Sequence, residues 1–303
     1  MTTPDVHVLI LGPVLVRRGA HTVAPSAPLT RTIVGVLALA GAAGLSVDAL
    51  AESAWPHDKP QVGGKALVVA VHRARQWLAS HTDGRVRIER TTTGYTLLGA
   101  EIDAHRFTRL AAHPSGLAEA LGLWRGEPLA DAMTGRSVAP AIEALTRTRL
   151  TAATEHGRRL LAAGRAGDTV AMLAPLVEEY PLDEPLHAVL VEALAGAGRQ
   201  AEALDHYERL RLRLADELGI DPSRELSGTL VRVLRQEIPQ AAREPIALAA
   251  SVPAQLPPDV GIFAGRMDQL GQLDTLAASA AGGSVVISAL AGIGGVGKPE
   301  TGL

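Results

Sequence analysis

The spacing of apolar and polar residues at the start of the chain predicts both strands and helices. The stretch VHVLILGPVLVRRGAHTVAP has short β-rich runs broken at residues 12–13 and 18–19, which predicts a small antiparallel sheet. Helical spacing follows over residues 31–42. A second helix is predicted in SVDALAESAW, where Ser46 is suited to cap the start and Pro56 ends the helix.

A third helix and a hairpin come next. The segment KALVVAVHRARQWLAS, residues 65–80, repeats its apolar side chains at helical spacing on one face: Leu67, Val71, Ala74 and Leu78. The segment RVRIERTTTGYTLLG, residues 85–99, alternates with period two around a turn at residues 92–94, as a β-hairpin does. A sheet, three helices and a terminal hairpin are the order of a winged helix-turn-helix. Residues 1–100 are therefore predicted to form an α+β domain of this type.

After the hairpin the pattern is helical almost throughout. Asp103 is expected to cap one helix and Ser115 another, and a long helix is predicted over residues 138–163. The last helix is expected to have Asp221 as its cap and Pro222 at its first position.

A repeat with a period of 34 residues lies inside this helical part. The segments AGRAGDTVAMLAPL (163–176) and AGRQAEALDHYERL (197–210) align, with Gly164 matching Gly198. A glycine between paired helices at this period is typical of tetratricopeptide repeats, whose units must stack to bury their apolar faces. Residues 101–238 are therefore predicted to form an all-α, tetratricopeptide-like domain.

The remaining residues have a different composition. Five prolines in PQAAREPIALAASVPAQLPPDVG predict a linker over residues 239–262. In residues 263–303, IFAGRMDQLGQLDTLAASA predicts a helix and SVVISAL a strand that leads into the glycine-rich GIGGVGK. This order is that of the start of a P-loop nucleotide-binding module.

The glycine-rich loop departs from a working phosphate loop. Gly292, Gly297 and Lys298 fit G-x-x-x-x-G-K, but Pro299 stands where a serine or threonine would bind Mg²⁺. Five residues follow Lys298 in this chain, which leaves no room for a Walker B carboxylate. These three residues are therefore expected to be a degenerate nucleotide site that does not hydrolyse ATP.

Composition excludes several other functions. The chain has no cysteine, which excludes disulfides, thiol catalysis and cysteine-based zinc sites. Its longest apolar run, residues 33–45, is too short to span a bilayer, and no secretory signal is recognisable, so a cytoplasmic location without membrane contact is expected. No H-E-x-x-H or G-x-S-x-G pattern occurs. We expect no enzyme activity, no metal site and no cofactor.

Charge is distributed unevenly along the chain. Residues 1–100 carry 10 Lys and Arg against 6 Asp and Glu, a net charge of +4. Residues 101–238 carry 16 against 21, a net charge of −5. A basic first part suits a polyanionic ligand there.

Several strings resemble one family. The strand-rich start, LWRGEPLAD (123–131) and EALAGAGRQAEALDHYERLRLRLADELGIDPSREL (192–226) are similar to the Streptomyces antibiotic regulatory proteins. The resemblance covers residues 6–238. It implies a winged helix-turn-helix of the response-regulator type followed by a bacterial transcriptional activator domain. FAGRMDQL and GIGGVGK resemble the nucleotide-binding module of larger members, which is of the NB-ARC or STAND kind.

The family resemblance implies a transcriptional activator of secondary-metabolite (antibiotic) gene clusters. Such an activator binds direct repeats in promoter DNA as a homodimer and recruits RNA polymerase holoenzyme through its sigma factor. Two alternatives stay open: the front part of a regulatory NTPase, and a protein-interaction scaffold that does not read DNA.

The candidate DNA contacts lie on the third helix and the hairpin. A recognition helix needs arginine for guanine, glutamine for adenine and an apolar group for the thymine methyl, and lysine or arginine for phosphate. The helix supplies Lys65, Val69, His72, Arg73, Arg75 and Gln76. The hairpin supplies Arg87, Arg90, Thr91 and Thr92, which are suited to a minor groove or its phosphates. A solvated helix face and a polar hairpin tip are the alternative interpretations.

Overall fold

The computed structural model describes residues 6–56 and 65–239, together with three helical residues, Asp268, Gly271 and Thr275. The first two ranges belong to one compact unit. The predicted linker beyond Pro239, the predicted strand and the glycine-rich loop with Gly292, Gly297 and Lys298 lie outside the described residues.

Seven strands form two sheets in the described part of the chain. They are β1 (Val6–Leu9), β2 (Leu15–Arg18), β3 (His21–Val23), β4 (Leu45–Ser46), β5 (Arg87–Arg90), β6 (Gly94–Leu98) and β7 (Glu101–Ile102). The first sheet has the order β3-β2-β1-β7, antiparallel except for the parallel pair of β1 and β7. The second has the order β4-β6-β5 and is antiparallel. Both the predicted small sheet and the predicted hairpin are confirmed.

Residues 6–56 and 65–239 form ten α-helices. They are α1 (Pro28–Ala40), α2 (Val47–Ala54), α3 (Lys65–Thr82), α4 (Asp103–Ala111), α5 (Leu117–Leu121), α6 (Ala139–Ala162), α7 (Ala166–Glu179), α8 (Glu184–Gly196), α9 (Gln200–Leu218) and α10 (Arg224–Leu234). The predicted cap of α2 is confirmed, because the Ser46 hydroxyl accepts a hydrogen bond from the amide of Ala49.

Helix α1 is the centre of the first core. It packs against α2, α3 and β6, and Ile33, Val34 and Leu37 are fully buried. Helix α3 covers it with the predicted apolar stripe, since Leu67, Val71, Ala74 and Leu78 are all buried. The side of α3 that faces α1 is therefore the one that the periodicity indicated.

Three predicted helix caps are wrong. Asp103 is the first residue of α4, and its buried carboxylate accepts hydrogen bonds from the amides of Ile10 and Leu11 instead. Ser115 lies within a 3₁₀ turn, and Gly116 occupies the cap position of α5. The cap of α10 is Ser223, whose hydroxyl accepts from the amide of Leu226, rather than Asp221. Asp103 thus binds amides outside its own helix, while Ser115 and Asp221 do not occupy the cap positions of α5 and α10.

The helical part stacks its helices in chain order. Helices α6 and α7, α7 and α8, and α8 and α9 pack on one another, and α10 returns onto α8. The turns before α7 and α9 are equivalent, because Gly164 and Gly198 adopt φ of +73° and +76°, which favours glycine. Of the aligned apolar pairs, Leu173 with Tyr207 and Leu176 with Leu210 are buried.

The segment after α5 connects this helical part to the first core. Within LWRGEPLAD, the amides of Arg125 and Leu129 donate to the oxygens of Leu11 and Ile10. The Asp131 carboxylate accepts from the amide of Val14 at 2.8 Å. Leu129 is buried in the same core as α1. The first hundred residues are thus packed continuously against the residues that follow them.

Candidate nucleic-acid interface

One face of α3 is turned away from the core. Successive residues of an α-helix point about 100° apart, so a helix can have one face towards the core and another towards solvent. In α3 the buried stripe occupies the first face, and the opposite face lies in solvent. The exposed face carries Lys65, Val68, Val69, His72, Arg73 and Gln76. All six predicted DNA-contacting residues of the helix are exposed, Arg75 included, and Val68 is a further exposed residue of this helix.

Two cations of this face have no acidic partner. Lys65 and Arg73 are exposed, and neither forms an ion pair with an Asp or Glu within residues 6–56 and 65–239. Most arginines of the helical part are instead paired, for example Arg199 with Glu202 and Arg211 with Glu208. Unpaired cations on a solvated face keep their full charge available for an anion.

Arg75 has a different position from the other basic residues of α3. Its Nε donates a hydrogen bond to the main-chain oxygen of Ile88 in β5 at 2.7 Å. Its guanidinium carbon lies 5.9 Å from the centre of the Tyr95 ring in β6. The side chain thus joins the helix to the hairpin.

The predicted residues of the hairpin divide into two kinds. Arg87 forms an ion pair with Glu89 at 3.4 Å, and Thr91 is used by the turn, where its hydroxyl accepts from the amide of Gly94 at 3.0 Å. Arg90 and Thr92 are exposed, and within the described chain Arg90 has no ion pair. Arg90 is therefore the cation of the hairpin with its charge free.

Gly94 is required at this turn. A Cβ atom built on it would lie 1.8 Å from the main-chain oxygen of Leu45 in β4. Since no side chain fits that gap, glycine allows β4 to pair with β6 and hold the hairpin beside α2. The position of the hairpin beside α2 is thereby fixed, and its strand β5 also contacts α3.

An open cavity of about 720 Å³ lies between the starts of α1 and α3. Leu29, Trp55 and Val69 are among its apolar lining residues, and Lys65 and Arg73 supply its positive charge. Sequence periodicity gave no indication of this cavity, because it is formed by residues that are distant in the chain.

Other kinds of site are not found in the described residues. No group of three or more His, Asp or Glu side chains there is arranged to hold a metal ion. Among the same residues, no helix combines the length and the apolarity that crossing a bilayer needs.

Comparisons with known proteins identify the family. Residues 97–234 match the model of the bacterial transcriptional activator domain. The transcriptional regulator RedD of Streptomyces coelicolor is 32% identical over 266 residues, which cover 80% of this chain and 76% of RedD. The chain belongs to the Streptomyces antibiotic regulatory protein family. Like RedD, other relatives such as the regulatory protein DnrI of Streptomyces peucetius carry the names of regulators.

Larger relatives extend beyond the length of this chain. The regulatory protein AfsR of Streptomyces griseus is 33% identical over 317 residues, covering 98% of this chain and 32% of AfsR. The chain thus spans about a third of the length of AfsR.

One solved structure has the same fold. It is that of EmbR from Mycobacterium tuberculosis in complex with a low-affinity phosphopeptide. EmbR is 30% identical, with a TM-score of 0.64 over 77% of this chain and 65% of that one. The arrangement of a β/α part followed by a helical part is therefore shared with this regulator.

Proposed function

We propose that this member of the Streptomyces antibiotic regulatory protein family activates a secondary-metabolite gene cluster by binding promoter DNA. The observation that carries the proposal is the exposed face of α3, where Lys65 and Arg73 lie without acidic partners. That face adjoins a hairpin with a free Arg90. An α-helix fits the major groove of B-DNA, and unpaired cations on it gain most from phosphate.

The first hundred residues act in this proposal as a winged helix-turn-helix. Helices α2 and α3 form the helix-turn-helix pair, with α3 as the recognition helix and β5–β6 as the wing. His72, Arg73 and Gln76 face the bases, while Lys65 and Arg90 bind phosphate. The net charge of +4 on residues 1–100 supports this assignment, since counterion release favours a basic surface on DNA.

The helical part serves protein contacts. Its equivalent glycine turns 34 residues apart support a tetratricopeptide-like stack, an architecture that presents extended surfaces to other proteins. We assign to it the homodimer formed on direct repeats and the recruitment of RNA polymerase holoenzyme through its sigma factor.

A salt-dependent DNA titration tests the proposal. The purified chain is titrated against duplexes from the promoters beside its own gene, at several salt concentrations. We expect the logarithm of the binding constant to fall linearly with the logarithm of salt concentration. Arg73→Ala should weaken binding by about fivefold to 150-fold, as expected for a base contact worth 1 to 3 kcal/mol.

A matched control separates this contact from general loss of charge. Arg224 is exposed at the start of α10, and Arg224→Ala removes the same charge from the helical part. It should leave DNA affinity unchanged. If Arg73→Ala and Arg224→Ala have equal effects, or if no duplex is bound in a salt-sensitive way, the chain does not read DNA through α3.

A further inference from the structure

Two valines are exposed on the outer face of α3. Val68 and Val69 have 52% and 50% of their surface in solvent. Within residues 6–56 and 65–102 they are the only large hydrophobic residues that are exposed; the others in the described chain lie in the helical part. Neither valine is needed to fill the core, because the buried stripe of α3 is complete without them.

Polar and charged side chains surround this apolar pair. On a helix, residues three and four positions apart are neighbours. Val68 therefore lies next to Lys65 and His72, and Val69 next to Lys65, His72 and Arg73. The pair is a small apolar surface among cations and hydrogen-bond donors. A partner that matches it presents negative charge and an apolar group within a few ångströms of each other.

The major groove of DNA offers that combination at one base. Its edges carry hydrogen-bonding groups at every base pair, and the 5-methyl group of thymine is the apolar group among them. Phosphates flank the groove on both sides. Neighbouring residues on a helix point about 100° apart, so two adjacent valines reach two separate positions in the groove.

We propose that Val68 and Val69 read thymine methyl groups, so that this chain selects sites with thymine at two nearby base-pair positions. The inference rests on the proposed function, since it requires α3 to enter the major groove. It adds a specificity for thymine that Lys65 on the same face cannot supply, because a phosphate contact carries no sequence information. Val69 also borders the cavity beside α1, and half of its surface stays available to DNA.

Deoxyuridine tests this contact, because it differs from thymidine by the 5-methyl group alone. Sites are first selected from random duplexes with the full 303-residue chain. Each thymine of the selected site is then replaced by deoxyuridine, one at a time. We expect one or two replacements to weaken binding by about threefold to fivefold each, the loss expected when the burial of one methyl group is removed.

Two variants connect the effect to the valines. For the double variant Val68→Ala, Val69→Ala, the same replacements should change affinity by less than twofold, and binding to the thymine site should fall to the level of the deoxyuridine site. Val231→Ala is the matched control, since Val231 is 43% exposed on α10. It should keep the full deoxyuridine penalty.

The possible failures are distinguishable. A selected site that is bound equally well with deoxyuridine at every position overturns the inference and leaves DNA binding intact. An equal penalty in the wild type and the double variant also overturns it, because the methyl group then acts through DNA shape. If no duplex is enriched or bound, the proposed function fails, and the inference fails with it.

Discussion

Arg75 and Ile88 are joined by a hydrogen bond of 2.7 Å from the Nε of Arg75 in α3 to the main-chain oxygen in β5. The guanidinium of Arg75 also lies near the ring of Tyr95 in β6. This contact holds α3 and the hairpin in one orientation. In the proposed DNA complex the helix and the hairpin would contact the duplex together. Arg75 is therefore expected to affect DNA binding by holding these two elements in position.

Replacing Arg75 should therefore lower stability as well as DNA affinity. We expect Arg75→Ala to reduce the free energy of unfolding by about 1 to 2 kcal/mol, because the exposed position of this side chain puts its hydrogen bond at the low end of the range for charged groups. Urea denaturation measures it. Arg73→Ala, which removes an unpaired cation two residues away, should change stability by less than about 0.5 kcal/mol. Equal stabilities for the two variants would show that the contact with Ile88 is unimportant.

Asp103 should be among the residues most sensitive to substitution. Its carboxylate accepts from two buried amides and lies 3.4 Å from Arg125. Burial raises the pKa of Asp103, while the hydrogen bonds from Ile10 and Leu11 and the charge of Arg125 act against that rise.

Asp103→Ala leaves both amides without acceptors, so we expect it to cost about 3 kcal/mol or more in chemical denaturation. Asp103→Asn keeps one acceptor oxygen and should cost less. A loss of equal size in the two variants would mean that shape, rather than hydrogen bonding, fixes this position.

Two histidines should make the helical part sensitive to acid. The Nδ1 of His187 in α8 lies 2.8 Å from the Nε2 of His206 in α9, and the rings stack. The pKa of both is lowered from 6.5 to about 4, chiefly because burial disfavours the charged imidazole. The charge of Arg213 contributes to the lowering at His187, and those of His187 and Arg209 contribute at His206. The unfolded chain therefore binds protons that the folded chain excludes between these two values.

The free energy of unfolding should therefore fall as the pH is lowered from about 6.5 towards 4. For the well-buried His187 alone the loss is roughly 3 kcal/mol across that window. Urea denaturation between pH 7 and pH 5 should show the decline. The decline should be weaker in the double variant His187→Leu, His206→Leu. An identical pH dependence in this double variant would contradict the assignment.

The first hundred residues should be less stable when separated from the rest. Strand β7, Leu129 and Asp131 all contribute to their sheet or core from beyond residue 100. We expect a fragment of residues 1–100 to melt at a lower temperature than residues 1–239, with both followed by circular dichroism. Cooperative unfolding of both fragments at the same temperature would show that the later residues add nothing.

Much of the local structure follows from the sequence. The period of apolar residues predicts the three helices and the hairpin of the first part, because the repeat along a helix or strand is fixed by backbone geometry. The buried and exposed faces of α3 follow in the same way. Val68 is not among the predicted DNA-contacting residues, although its position on the helix places it on the exposed face.

The side-chain partners could not be predicted in this way. Sequence patterns suggest that Asp103 caps its own helix, but the amides that bind its carboxylate are 92 and 93 residues earlier in the chain. Arg75 resembles the other basic residues of α3 in sequence. Only the tertiary structure shows that its Nε donates a hydrogen bond to the main-chain oxygen of Ile88.

By itself the sequence determined where helices and strands form and which side of α3 faces water, since both depend on residues within a few positions of one another. Only the tertiary structure decided how Arg75 and Asp103 are used, and that the segment around Leu129 completes the first core. These features depend on residues that are remote in the chain and meet when it folds, and no local repeat encodes such meetings.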